Sequence, residues 1–385
     1  MKLYIFNPST DLALANNSEN YMPSAKVKQM ERELETLPLW YAEPGSMLLA
    51  SPHTDRTFTD RLRQLFGIDT TIIADPSLLP DSTEICPWGW NPTLRKQLLA
   101  GGTSPHLLPT REQLEEYRIL SGRSNDTIIL QQMGNSHFEA TVARTPQECK
   151  EYAMQNPRCI FKAPWSGSGK GLLWCYGKYD DKAEGWIGRV IKEQGYVIAT
   201  PIYDKIQDLA IEYHSDGKGN ITFAGYSLFT TNTKGAYCGN ILQSTAMHRA
   251  EISRHIALEE LDHADSGLRK ALSDLYGHKY RGYIGVDMMI CRTENGNMLH
   301  PCVEVNMRMN MGVVSTILAE RYLADGARGI FSIEYHPTSN ALHEAHRRMS
   351  EEHPPTIDNR RITSGYIPLT PVTAQSNYIA YINVK

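Results

Sequence analysis

The stretch FKAPWSGSGKG, residues 161–171, limits the fold of this chain more than any other. An apolar run enters it, glycine and serine alternate through it, and a second apolar run, LLWCYG, leaves it. Glycine-rich segments beside a lysine often wrap a phosphate with backbone N–H groups. A P-loop needs G-x-x-x-x-G-K, then Ser or Thr, then a helix. Here Gly171 follows Gly169-Lys170, a single residue separates Gly167 from Gly169, and the next segment reads as a strand. The P-loop therefore fails on spacing, on the hydroxyl that would hold Mg²⁺ and on context. Strand, flexible loop, strand is what remains. Lys162, on the first strand, then offers a point charge to a phosphate. Ser166, Gly167, Ser168, Gly169 and Lys170 form a loop able to fold over it. Taken alone, the loop reads equally well as an exposed Gly/Ser hairpin with no ligand.

A second cluster lies downstream. GVDMMI sets Asp287 in an apolar strand, and CVEVNMRMN sets Glu304, Asn306, Arg308 and Asn310 at alternate positions. Read as one strand, period two sends these four to one face and Val303, Val305, Met307 and Met309 to the other. Such a polar row on a mostly buried sheet is costly unless a ligand uses it. Asp287, Glu304 and Asn306 supply the oxygen donors that suit Mg²⁺. Arg308, next along the face, is placed for a phosphate or for the negative charge of a reacting acyl group. The structural alternatives are a strand-end turn for Asp287 and a same-face ion pair between Glu304 and Arg308.

The rest of the chain frames these clusters. Its 385 residues suggest two or three domains, and 41% apolar with 21% charged residues describes a soluble globular protein. A net charge of −4 argues against nucleic acid or an anionic membrane as the main partner. Seven cysteines without a C-x-x-C pair, several in strand-like runs, read as buried thiols rather than as disulfides or a zinc site. No apolar run is long enough for a membrane span, and the apolar start of the chain is too short for a secretory signal, so a cytoplasmic protein is expected. KLYIF, SMLLAS and TTIIAD, separated by helical patterns, predict a small α/β unit in the first hundred residues. CPWGWNPTLRKQLLAGGTSPHLLPT reads as a boundary or exposed connection. In the polar segment after KLYIF, Asn7, Asp11 and Asn17 read either as part of an acceptor or partner site or as an ordinary capped helix start at Ser9 or Asp11.

Together, the strand lysine, glycine-rich loop, hinge strand, long helix, Asp-bearing strand and E-x-N-x-R segment resemble the ATP-grasp superfamily over about residues 111–320. The resemblance implies an α/β (α+β) fold in which two lobes sandwich ATP. It implies a pre-ATP-grasp domain at 1–110, a small lobe at 111–200, a second lobe with the metal site at 201–335 and an extension at 336–385. It further implies that Lys162 and the loop 166–171 bind the phosphates. Asp287, Glu304 and Asn306 would hold one or two Mg²⁺ (or Mn²⁺), and Arg308 and Lys162 would act in catalysis. Adenine would meet the hinge VIATPIY near Thr200 and Ile202. Ala199 and Thr200 stand where relatives often carry a ribose-binding glutamate, which leaves the ribose contact unassigned. Asp208 and Glu212 match the acidic strand that follows, with Asp208 expected to bind cofactor. An earlier family lysine, N-terminal to the first strand pair, has no clear counterpart here, and Arg123 is the candidate for it. The activity implied is an ATP-dependent ligase that activates a carboxylate as an acyl phosphate for attack by an amine or thiol, with small-molecule or peptide substrates, and a homodimer is an expected assembly. An ATP-binding regulatory or scaffold protein, or a phosphotransferase on the same fold, are the alternatives.

Overall fold

The structure, a computed structural model, describes all residues except Ser136, Ser168, Lys170 and Lys234. Short apolar runs near the N-terminus form β1 (Lys2–Ile5), β2 (Ser46–Leu49), β3 (Thr70–Ile73) and β4 (Glu84–Pro87), a parallel sheet in the order β3-β2-β1-β4. Parallel neighbours need long crossovers, and the helices Thr10–Asn16, Ala25–Glu33 and Arg56–Phe66 lie within them. The Pro- and Trp-rich segment expected to be a connection belongs to this unit instead. It supplies β4 and the helix Pro92–Ala100, whose Leu94 and Leu98 pack with Leu3, Ile5 and Ile85. Leucines four apart bury one helix face, and that outweighs the turn-forming residues around them.

The second sheet is antiparallel, in the order β5-β8-β6-β7, from β5 (Thr141–Ala143), β6 (Arg158–Lys162), β7 (Leu172–Tyr176) and β8 (Val197–Pro201). One face is closed by the helices Pro146–Gln155 and Asp181–Gln194, capped by Thr145 and Asp180, over a core containing Phe161, Ile187 and Val197.

The third sheet has nine strands, in the order β13-β12-β9-β10-β11-β14-β17-β16-β15. They are β9 (Asp204–Asp216), β10 (Ile221–Thr231), β11 (Tyr237–Leu242), β12 (Arg281–Thr293), β13 (Gly296–Asn306), β14 (Gly329–Tyr335), β15 (Thr356–Asp358), β16 (Arg361–Pro368) and β17 (Tyr378–Val384). The turns at SDGKGN and TENGN join antiparallel pairs, as their residues predict. Period two divides β9 and β12 cleanly. Leu209, Ile211, Tyr213, Ile284, Val286 and Met288 are buried with Leu261, Leu268 and Leu272 of the helix Leu258–Tyr276. The alternate residues face the space between the second and third sheets. Residues 336–385, expected to be a separate extension, provide β15, β16 and β17 of this same sheet. Among the described residues, no helix is long and apolar enough to cross a membrane.

Trp40 ties the first unit to the last strands. It is fully buried, its Nε1–H donates to the Leu369 carbonyl at 2.8 Å, and its ring lies 5.0 Å from Phe66 and 5.2 Å from Tyr322 between centroids. Trp40→Ala removes that filling and leaves the Leu369 carbonyl without its donor, and the expected cost is about 3–5 kcal/mol. Denaturant unfolding of both proteins measures it, and a loss below about 1 kcal/mol would mean that this contact does not join the two parts.

Candidate active site

The floor of the site is a grid built by strand register. Asp287 of β12 lies opposite Glu304 of β13 and Ala210 of β9. One row along, Gly285 lies opposite Asn306 and Glu212. Directly paired residues share a face, so Glu212, Asp287, Glu304 and Asn306 point together into the cleft. Asn306 Nδ2 donates to Asp287 at 3.1 Å, and Asn310 Nδ2 donates to Glu212 at 2.9 Å. Asp287 is therefore a mid-strand residue, and Glu304 and Arg308 are not each other's partners. Two glycines make room for Glu212. A Cβ at Gly312 would lie 1.9 Å from Glu212 Oε1, and one at Gly285 would lie 2.5 Å from Glu212 Oε2 and 2.3 Å from Asn310 Nδ2.

The expected strand through residue 310 ends at Asn306. Beyond it the chain leaves the sheet, because Met309 N–H bonds to the Trp88 carbonyl of the first unit and Asn310 caps the helix Met311–Tyr322. Arg308 consequently turns to the N-terminal unit. Its Nε and Nη2 reach Asp11 at 2.9 and 2.8 Å, and Nη2 also donates to Asn306 Oδ1 at 2.8 Å. Of Asn7, Asp11 and Asn17, Asp11 is the one that lines the site. Asn7 bonds to the Gly89 backbone, and Asn17 ends the helix Thr10–Asn16 in the left-handed conformation at φ 53°. Ser9 does begin that helix, but without a side-chain cap.

The roof comes from the second sheet. Lys162 closes β6 opposite Leu172 and Ile198. The loop after it turns back with Gly169 at φ +71°, where a Cβ would lie 2.8 Å from the Gly235 carbonyl. Ser168 and Lys170 lie outside the described residues. Ser166 accepts a hydrogen bond from Arg123 Nη1 at 2.7 Å. Arg123, buried at 6% exposure, also donates to the Ala163 carbonyl and, through Nη2, to Glu304 Oε1 at 2.6 Å, while its Nε has no partner among the described residues. It therefore joins loop and floor.

The charges are in tension. Burial, then the nearby Glu304 and Glu212 carboxylates, push Asp287 well above the ordinary carboxylate range. Burial pushes Glu212 up to about 7, against the hydrogen bond from Asn310. Burial would raise Glu304 as well, but Arg123, Arg308 and Lys162 bring it below its ordinary value. Burial and then Arg123 lower the Lys162 ammonium, opposed by Asp126 and Glu304. Asp126, with Oδ1 accepting from Val305 N–H at 3.1 Å, is raised to about 8 by burial and then by Glu304. Nothing in the sequence singles out Asp126, because an acidic residue in a helix's first turn is ordinary. Arg123, the candidate for an earlier family lysine, gives no sign in the sequence of its bond to Glu304.

Between roof and floor lies a cavity of about 380 Å³. Lys162, Glu304 and Asp287 line its inner part, and Thr200, Ile202, Tyr203, Phe229 and Met289 line the other end. There Asp208 pairs with Lys205 at 2.5 Å and accepts from Thr231 Oγ1 at 2.8 Å. The Ile202 N–H is already engaged with the Arg158 carbonyl at 3.0 Å. A smaller pocket adjoins on the far side of Glu304, Asn306 and Arg308, walled by Trp90, Tyr117, Trp165 and Tyr280. Among the described residues no three His, Cys, Asp or Glu side chains gather closely enough to cage a metal ion unaided. The hard oxygen donors of Asp287, Glu304 and Asn306, with two carboxylates whose charges oppose one another, do fit a Mg²⁺ that shares its coordination with a bound anion.

The backbone is similar to three solved structures over 100% of this chain. One is N5-carboxyaminoimidazole synthetase from Staphylococcus aureus complexed with ADP, at 12% identity, TM-score 0.51 and 93% of that chain. Another is the biotin carboxylase–beta-gamma-ATP complex from Campylobacter jejuni, at 13% identity, TM-score 0.52 and 87% of that chain. The third is the biotin carboxylase domain of the Hydrogenobacter thermophilus 2-oxoglutarate carboxylase, with MgADP, ADP and bicarbonate, at 12% identity, TM-score 0.51 and 86% of that chain. The chain has the ATP-grasp fold. No family profile matches the chain, and no curated protein matches it in sequence. In ATP-grasp terms, Lys162 and the glycine-rich loop stand on one lobe, and the Asp287–Glu304 grid stands on the other.

Gly312→Ala is expected to displace the Glu212 carboxylate and cost about 1–3 kcal/mol, the usual penalty for overpacking. Glu212→Ala made alongside should recover most of that loss in a double-mutant cycle of denaturant unfolding. Additive losses would show that the two residues do not meet.

Proposed function

We propose that this protein is an ATP- and Mg²⁺-dependent ligase that activates a carboxylate and joins it to an amine or similar nucleophile, releasing ADP and phosphate. The observation that carries this reading is the Glu212/Asp287/Glu304/Asn306 grid, set across the cleft from Lys162 and Arg123 under a glycine-rich loop. The ADP, beta-gamma-ATP and MgADP named for the three similar structures support a nucleotide in the larger cavity. Asp287, Glu304 and Asn306 would hold Mg²⁺, whose chemistry is to neutralise and polarise phosphoryl oxygens. Lys162 holds a cation at the end of β6 for the phosphates, and Arg123 shifts from Glu304 toward the same negative charge. The loop 166–171 excludes water from a reactive acyl phosphate. Arg308, fixed by Asp11 and Asn306, lines the adjoining pocket, whose volume of about 20 Å³ holds little more than a water molecule, so an acceptor would meet it from the larger cavity, which Arg308 also lines. No side-chain nucleophile is required, since the acyl phosphate is itself the activated species.

An intact set of oxygen donors favours this over a regulatory or scaffold role. The test is phosphate release from ATP and Mg²⁺ across a panel of amino acids and small peptides. We expect release that depends on the acceptor and a new amide of matching mass. A stable phosphorylated acceptor would instead indicate a phosphotransferase. Glu304→Gln is expected to lower kcat/KM by about 100-fold or more, the scale on which a single preorganised electrostatic group acts. Release by Glu304→Gln at the parent's rate would sink the assignment of the metal site.

A further inference from the structure

The second sheet presents a second cross-strand row to the cavity, and neither the grid nor the phosphate groups account for it. Ile160 of β6 lies opposite Trp174 of β7 on one side and Thr200 of β8 on the other. Directly paired residues share a face. This row is therefore on the face of Lys162, two residues further along β6, and all three of its residues line the cavity. The hydrophobic core of this lobe lies behind the opposite face, with Phe161, Val197 and Cys175. Trp174 thus fills no core. It is 36% exposed on an edge strand, its ring parallel to that of Tyr176 with centroids 6.3 Å apart. Its edge is met from the loop between β10 and β11, since a Cβ at Gly235 would lie 3.7 Å from Trp174 Cζ2 and 3.0 Å from Leu172 Cδ1. Across the cavity from this row lie Phe229 and Met289.

A large, partly exposed indole beside apolar Ile160 and Leu172, with Phe229 and Met289 across the cavity, makes a flat apolar slot one strand step from Lys162. We infer that Trp174 is the stacking surface for the nucleobase of the bound nucleotide, and that it determines affinity for the base independently of the phosphates. This rests on the nucleotide reading given above. Stacking on an indole needs no polar complement from the ring edge, so it operates even though the Ile202 N–H is already bonded within the lobe. It also gives a reason for keeping an exposed tryptophan on a strand edge, where such a residue is otherwise an association hazard.

The test uses the full chain with MgCl₂ and two probes, ATP and inorganic tripolyphosphate, which carries the charge without a base. ATP is expected to quench the tryptophan fluorescence of the parent and tripolyphosphate to leave it unchanged. Trp174→Ala should weaken ATP binding by about 10- to 100-fold, the effect typical of removing a base-stacking aromatic, with tripolyphosphate affinity unchanged. Trp174→Phe should keep ATP affinity within a few-fold of the parent and abolish the quench. Equal ATP affinity in Trp174→Ala and the parent overturns the inference, as does fluorescence that follows protein concentration rather than ATP, the sign of an interface between copies. Lys162→Met separates the base contact from the nucleotide site as a whole. If it loses ATP while Trp174→Ala keeps it, the nucleotide site stands and Trp174 is no part of it. If the parent binds neither probe, both readings fall.

Discussion

Three carboxylates, Glu212, Asp287 and Glu304, share one face of adjoining strands, and the surrounding architecture answers the repulsion between them. Burial resists the ionisation of Asp287 and Glu212, and for Asp287 the neighbouring Glu304 and Glu212 carboxylates add to it, so both carboxyls are raised. Arg123 offsets part of the excess through its bond to Glu304. The helix that begins beside Arg123 also contributes Asp126, which bonds to the backbone of Val305 and so holds β13 in place. Arg308 offsets another part but is itself neutralised by Asp11 from the N-terminal unit. The balance thus draws on three separate regions of the chain. A cation arriving between the carboxylates would relieve the repulsion that these pairings only share out.

This arrangement also accounts for the glycines around the grid. Ion pairs and hydrogen bonds in the interior gain strength from the low local dielectric, but only when donors and acceptors close to short distances. At Gly285 and Gly312 a side chain would occupy the volume that Glu212 and Asn310 need for their bond. Backbone bulk, and not only charge, is therefore part of how the site is preorganised.

The site is unevenly legible in the sequence, for physical reasons. The grid can be read because carboxylates in apolar strands are too costly to bury without a ligand or a counter-charge, and register then brings Asp287 and Glu304 face to face. Lys162 can be read because the next segment is a strand, which removes the P-loop. Arg123 and Asp126 are obscure because charged residues at a helix start are common whatever their tertiary partners. The expected strand runs too far, to residue 310, because polar and apolar residues go on alternating where the chain has already left the sheet. Met307 stays in the core that buries Val305, whereas Met309 is buried in the cluster that holds Trp88 of the first unit. Local period reports which side chains are buried, and it cannot report what buries them. For the same reason the Pro- and Trp-rich segment near residue 90 looks like a connection, although its leucines complete a core.

The bond from Trp40 to the Leu369 carbonyl spans 329 residues. During synthesis, the face of the first unit that carries Trp40, Phe66 and Leu37 stays open until the strands near the other end have left the ribosome. The parallel sheet can form early from its own crossovers, but this flank then waits, apolar and uncovered, through most of translation. A chain interrupted before residue 369 would present that face to its surroundings. An uncovered apolar face of that kind is what a holding factor would recognise on an incomplete chain.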